Sequence, residues 1–187
     1  MTQSVENDTV AKVKNQMTII GRTAKAGFPA EGIRGVPVKI DTGADSSSIW
    51  ASELYIDDEN VLHFVLFAKD SVFYSGNRHS TSAYKVRFVR SSNGQAQIRY
   101  SVKLAIVIAG RKVRGSFTLA NRSDNNFPVL VGCKLLYRRF LVDVSRGKIR
   151  PDGQKETTNT LNAEMQKNPK QFFEKYHLLN ERGDIVL

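Results

Sequence analysis

Between about Met17 and Val131 the chain is cut into short runs with the pattern of strands. Met17 to Gly21, Val36 to Ile40, Val61 to Ala68, Tyr84 to Arg90, Ile98 to Ala109, Val113 to Leu119 and Phe127 to Val131 show two-residue alternation or β-branched enrichment. Turn formers lie between them. Ser91-Ser92-Asn93-Gly94 ends in an Asn-Gly pair that tolerates the positive φ angles of a tight hairpin, and Ala109-Gly110-Arg111 is a second turn. Many short strands punctuated in this way predict a mainly β chain, closed or nearly closed into a barrel, rather than a sheet covered by helices.

At 187 residues and 41% hydrophobic content, the chain suits one core with extensions rather than two full domains. Residues 1–16 are polar and read as a tail, and 17–150 hold the barrel. Residues 151–167 open on Pro151-Asp152-Gly153-Gln154, continue rich in Thr, Asn and Lys, and read as a polar linker. In 168–187 Asn168 can cap a short helix with Pro169 at its first position, placing Phe172, Phe173, Tyr176 and Leu179 on one face before Gly183. Such a stripe docks on its own domain more often than on a partner.

Several function classes lose support at this stage. No apolar leader-like run stands near the start, and the longest apolar stretch, Leu104 to Ala109, falls far short of the ~20 residues of a membrane helix. A soluble cytoplasmic protein without a membrane partner is expected. Cys133 is the single cysteine, and His63, His79 and His177 are scattered without metal-ligand spacing, so neither a metal nor a cofactor is expected. The formal charge of +10 is concentrated, because Ser71 to Ser123 holds ten Lys or Arg residues and no Asp or Glu. Such a segment can meet nucleic acid, anionic lipid or acidic polypeptide, or it can be the solvent face of strands. Without an aromatic stacking platform beside the charges, nucleic acid is the less favoured partner.

The run Val38 to Ile40 delivers Asp41 directly into Thr42-Gly43, followed by Ala44 and Asp45. Gly43 lets backbone N–H groups approach the Asp41 carboxylate, and the Thr42 hydroxyl can join a hydrogen bond that fixes the loop. By itself the tripeptide is as well explained by an ordinary Asx-type turn. Most of a domain later come Pro128, then Val129, Leu130, Val131 and Gly132, then Cys133-Lys134-Leu135-Leu136.

With both elements in view, the chain resembles the retropepsin-like aspartic proteases, which carry apolar-Asp-Thr-Gly-Ala and, later, two or three apolar residues ending in Gly. It is more similar still to the bacterial and archaeal branch associated with RimK-type ligases and labelled ATP-dependent zinc proteases. That likeness runs from about Thr18 to Ile149 through Ile40 to Ala44, Val86-Arg87-Phe88, Ser91 to Gly94, Leu119 to Ser123, Pro128 to Gly132 and Phe140 to Asp143. The zinc and ATP of the label find no metal-ligand cluster or phosphate-binding loop in these residues.

The resemblance implies a retropepsin-like closed barrel in which Val129, Leu130, Val131 and Gly132 form a ψ-shaped frame around the catalytic loop, followed by one short helix. Leu135, Leu136 and the residues to Phe140 suit that helix. Asp41 is implied as catalytic, with Thr42, Gly43, Ala44 and Asp45 shaping its loop. Only one Asp-Thr-Gly is present, so the two carboxylates that aspartic proteolysis needs imply a homodimer acting on a peptide or protein substrate. A carboxylate pair sharing a proton titrates as a coupled unit. The family's flap is matched to a hairpin at Arg90 to Gln97 around Ser92, Asn93 and Gly94, with Tyr74 to Ala83 an alternative. If the basic segment lines the cleft, acidic or polyglutamate-like peptides become the expected substrate.

The family commonly has Arg directly after the frame glycine, where this chain has Cys133, read as a small buried hydrophobe. Asp45 is then left to Lys134, Arg138, Arg139 or the substrate. Two rival readings stand beside the peptidase: a non-proteolytic peptide-binding or ligase-partner module on the same barrel, and the zinc-dependent peptidase of the label.

Overall fold

The computed structural model describes residues 17–90, 96–147 and 152–176. The chain divides into two units at Gly147 and Lys148. The first unit is mainly β, as the alternating runs predict. Its strands are β1 (Thr18–Ile20), β2 (Thr23–Phe28), β3 (Ile33–Asp41), β4 (Ser47–Ile56), β5 (Leu62–Leu66), β6 (Arg78–Thr81), β7 (Lys85–Arg90), β8 (Ala96–Ile108), β9 (Arg111–Ala120), β10 (Val129–Gly132) and β11 (Phe140–Val142). A 3-10 turn, Pro29–Glu31, joins β2 to β3, and a one-turn helix, α1 (Cys133–Leu136), follows β10.

Six strands close on themselves. The hydrogen-bonded order β10-β3-β2-β8-β9-β4 returns to its start because β4 also pairs β10, so this part of the sheet has no free edge. β5 and β6 continue outward from β4, β7 pairs the first half of β8 as an antiparallel hairpin arm, and β1 and β11 form a separate parallel pair. Inside the ring, Val36, Val38, Ile49, Ile106, Ile108, Phe117, Val129 and Val131 are fully buried. On β3, β8 and β10 they alternate with less buried residues, as the two-residue period requires.

Four strands do not stand out in the sequence. β4 begins on serines, and Ser47 and Ser48 are buried because each hydroxyl finds a backbone partner, Ser47 accepting from Gly132 N–H and Ser48 donating to the Thr118 carbonyl. β2 is built from Ala, Lys and Gly, β6 is an edge of polar residues, and β11 has three residues paired only with β1. All four are held by neighbours distant in sequence rather than by their own propensity.

Two helical expectations are corrected. The helix after the frame ends at Leu136 rather than reaching Phe140, since Tyr137 leaves the helical region at ψ 123 and Arg138 sits at φ 58, and Phe140 then enters β11. Residues read as a polar linker form helix α2 (Asp152–Lys167), because after Gly153 the stretch lacks any breaker and carries good helix formers among its Thr and Asn residues. Helix α3 (Pro169–Tyr176) starts as the sequence suggests, with the Asn168 side chain accepting from the Gln171 N–H at 3.2 Å. Glu164 of α2 accepts from Lys175 and Tyr176 of α3, and Leu179 and Gly183 lie outside the described residues.

Candidate active site

Asp41 is the last residue of β3, and its register partner on parallel β10 is Gly132. The two strands therefore deliver the Asp-Thr-Gly turn and the frame glycine to the same place. Beyond them, β10 runs antiparallel to β4 through Val129↔Ile49 and Leu130↔Ser48, so the strand leaving the turn flanks β10 on its other side. Val129 and Val131 point into the core, while Leu130 is half-buried.

The turn is held mainly by backbone. Gly43 N–H donates to Asp41 Oδ1 at 3.0 Å, and Ala44 N–H donates to the Asp41 carbonyl at 3.3 Å. The Ala44 carbonyl accepts from Cys133 N–H at 2.7 Å, and the Asp45 carbonyl accepts from Lys134 N–H at 3.0 Å. Gly132 N–H donates to the buried Ser47 Oγ at 3.1 Å. The successive N–H groups of Gly132, Cys133 and Lys134 are thus spent on Ser47, Ala44 and Asp45, the residues that follow the Asp41 turn. Gly132 must be glycine for steric reasons, because a Cβ there would stand 2.6 Å from both the Ala44 and Ser46 carbonyl oxygens.

The Asp41 side chain is 25% exposed, and Lys39 Nζ lies 3.6 Å from Oδ2. Thr42 is exposed, and its hydroxyl makes no hydrogen bond among the described residues. Of the partners considered for Asp45, Lys134 is the one that meets it, with Nζ 3.1 Å from Oδ2 on an exposed surface. Cys133 is not the buried hydrophobe expected. It is half-buried, and its Sγ–H reaches the Thr42 carbonyl at 3.0 Å, so it takes part in bracing the loop.

Two further basic residues, Arg122 and Arg99, lie close enough to influence each other, and Arg122 also feels the Asp41 carboxylate. Arg122 is half-buried, with Nε donating to the Phe127 carbonyl at 3.0 Å. Burial holds its guanidinium below the usual range, Arg99 pushes it further down, and the Asp41 carboxylate pulls it back up. Burial also lowers Arg99, whose Nε and Nη2 both bond Gln97 Oε1. The solvent-face reading of the basic segment holds for Arg87 and Lys103, which are exposed, but not for these two. Ser92, Asn93 and Gly94, the flap candidates, lie outside the described residues, although β7 and β8 on either side are paired as far as Arg90↔Ala96. In the alternative segment, Arg78 to Thr81 forms β6 on β5.

A family model described as retropepsin-like aspartic endopeptidase RimB matches residues 19–153. The chain belongs to the RimB-like family. This RimB-like chain is mainly β, and the strand ring, ψ-like frame and Asp-Thr-Gly turn fall inside the matched span.

Curated relatives of this RimB-like chain include a probable alpha-L-glutamate ligase of Shewanella pealeana, 28% identical over 130 residues, and one of Desulfotalea psychrophila, 23% identical over 128. The matches cover 68% and 67% of this chain and 28% of each relative, so the chain spans little more than a quarter of their length. A solved structure of a Legionella pneumophila protein of unknown function aligns with a TM-score of 0.51 at 22% identity, covering 71% of this chain and 97% of that one. At that identity the likeness concerns the fold alone.

The zinc in the label of the RimK-associated branch does not fit these residues. Among those described, no three His, Cys, Asp or Glu side chains converge as a metal site. His63 lies between Asp57 and Ser80, and His79 contacts the buried carboxylate of Glu31. Each of these two histidines has one carboxylate and stacks on an aromatic ring, which suits packing between strands. No described helix is long and apolar enough to cross a membrane.

Proposed function

We propose that the protein is a homodimeric aspartic endopeptidase in which Asp41 and Asp41 of a second copy form the catalytic dyad. The observation that carries this reading is the placement of Asp41: it ends β3 in register with Gly132, with Oδ1 fixed by Gly43 N–H and the carboxylate still open to solvent. A chain with a single Asp-Thr-Gly can supply the second carboxylate only from another copy. The exposed Thr42 hydroxyl is free to meet that copy.

The two carboxyl groups share one proton. The ionised one takes a proton from water as the oxygen attacks the peptide carbonyl, and the protonated one donates to the carbonyl oxygen. Collapse of the tetrahedral intermediate breaks the C–N bond, with the amine leaving protonated, and the dyad returns to its one-proton state.

The substrate class that fits is acidic peptide. Lys39 Nζ lies 3.6 Å from Asp41 Oδ2, and the partly desolvated Arg122 feels both the Asp41 carboxylate and the neighbouring Arg99, so a side-chain carboxylate can be recognised there by charge-assisted hydrogen bonds. The curated relatives named for glutamate ligation agree with a glutamate-bearing substrate.

Substituting Asp41→Asn in the full chain is expected to lower kcat on glutamate-rich peptides by about 10²–10⁴-fold, while the dimer persists in sedimentation. Full turnover by this variant would end the assignment. A second reading takes support from the match to a quarter of each longer ligase: the barrel serves as a peptide-binding or ligase-partner module without cleaving. It requires that glutamate-rich peptide binds and survives intact across acidic and neutral pH.

A further inference from the structure

Away from Asp41, the outer side of the β7-β8-β9 hairpins and α1 borders an open cavity of about 590 Å³. Its lining carries five cations, Arg87, Lys103, Arg114, Lys134 and Arg139, and no carboxylate. The register explains how they come together. Arg87 stands directly across from Arg99, Lys103 across from Ser116, and Arg114 across from Ala105, so successive strands bring like charges onto one face. Like charges opposite each other on a sheet oppose pairing and add nothing to the fold.

Arg87, Lys103 and Arg114 make no hydrogen bond or ion pair among the described residues. Lys134 and Arg139 are partly engaged, with Asp45 and with the carbonyls of Lys134 and Leu135 respectively. Hydroxyls of Ser101, Ser116 and Thr118 add neutral polar groups to the lining. Leu135 seats α1 tightly over Gly115, where a Cβ would come within 2.8 Å, so the wall of the cavity is fixed by packing.

We infer that this groove is a second binding site, an exosite that holds an acidic polypeptide segment continuous with the one entering the Asp41 cleft. The case for a polypeptide over another polyanion is continuity. The lining reaches Ser46, directly after the catalytic loop, and Lys134, whose N–H and Nζ both bind Asp45 of that loop. On the hairpin, Arg87 of the groove faces Arg99, which neighbours the half-buried Arg122. A chain with repeated carboxylates can follow this line of cations from the cleft outward, each carboxylate replacing a repulsion with an attraction. The site rests on the acidic-peptide reading above but is separable from catalysis.

The test uses the full chain carrying Asp41→Asn, with binding of fluorescein-labelled decaglutamate followed by anisotropy at moderate salt. Adding Arg87→Ser with Arg114→Ser is expected to weaken binding about tenfold or more. Lys25→Ser with Arg34→Ser removes the same charge from exposed positions on β2 and β3 outside the groove, and is expected to stay within about twofold. The paired Lys replacements at Arg87 and Arg114 should recover most of the affinity, which separates lost charge from lost folding.

Equal loss in both double variants, or no loss in the groove variant, overturns the exosite. So does a single-stranded DNA oligonucleotide that competes with decaglutamate at equal or lower concentration. In the chain with Asp41 intact, the groove substitutions should raise KM for decaglutamate and leave triglutamate unchanged. Failure of the peptidase reading alone appears as absent turnover with groove-dependent binding preserved.

Discussion

Gly132 is the residue on which the geometry around Asp41 most depends. Its missing side chain lets two carbonyl oxygens of the loop approach within 2.6 Å of where a Cβ would stand, and its N–H satisfies Ser47 below. Gly132→Ala forces backbone against backbone, for which no rotamer change compensates. We expect a loss of about 2–3 kcal/mol, measured from the midpoint of urea unfolding, together with loss of activity. That Gly132 matters is legible in the sequence. Ser47 was not, because a serine beside two others in an apparent loop gives no sign that it will sit at 1% exposure beneath a glycine that follows it by 85 residues. Cys133 was misread for the same reason, since its contact with the Thr42 carbonyl depends on a partner 91 residues away.

Among the elements, β4, β5 and β6 are tied together by the side chains of Asp57, His63 and Ser80. Asp57, just after β4, accepts from Val61 N–H at 2.8 Å and meets His63 Nε2 at 2.6 Å, while His63 Nδ1 meets Ser80 Oγ of β6 at 2.8 Å. The hydrogen bond to His63, with a smaller contribution from Val61, holds the Asp57 carboxyl below its ordinary 3.8. A depressed carboxyl contributes stability that is present above its unfolded value and is lost as pH falls through the folded one. Asp57→Asn should therefore melt lower than the unaltered protein at neutral pH, and the gap in Tm should close as pH falls below 3.8. Thermal melts across that range check it, and a constant gap would show that the effect is steric. β6 itself was invisible beforehand, because Arg78 to Thr81 has neither apolar alternation nor β-branched bulk and is a strand through its pairing with β5.

For the whole molecule, the proposed dyad makes activity a property of two chains. Specific activity should fall on dilution through the dimer dissociation range. A sharper measurement mixes the unaltered protein with an equal amount of Asp41→Asn and lets subunits exchange. If both carboxylates are needed, only dimers of two unaltered chains cleave, and activity falls to about a quarter of that of the same total of unaltered protein. A fall to one half would place a complete site within each chain.

The sequence alone determined the class of fold and the position of Asp41, because both are written in local signals: a two-residue hydrophobic period, turn-forming glycines, and an acidic residue at the end of a β run. It also showed that the positive charge is concentrated between Ser71 and Ser123. The tertiary structure decided how the ring closes through the β4–β10 pairing, and that Lys134, of three candidate cations, meets Asp45. It likewise decided that Arg87, Arg99, Lys103 and Arg114 share one face of the sheet. These outcomes depend on the register between segments up to 91 residues apart, such as Arg87 against Arg99 and Gly132 beside Asp41, and a one-residue slip would turn every one of those side chains to the other face.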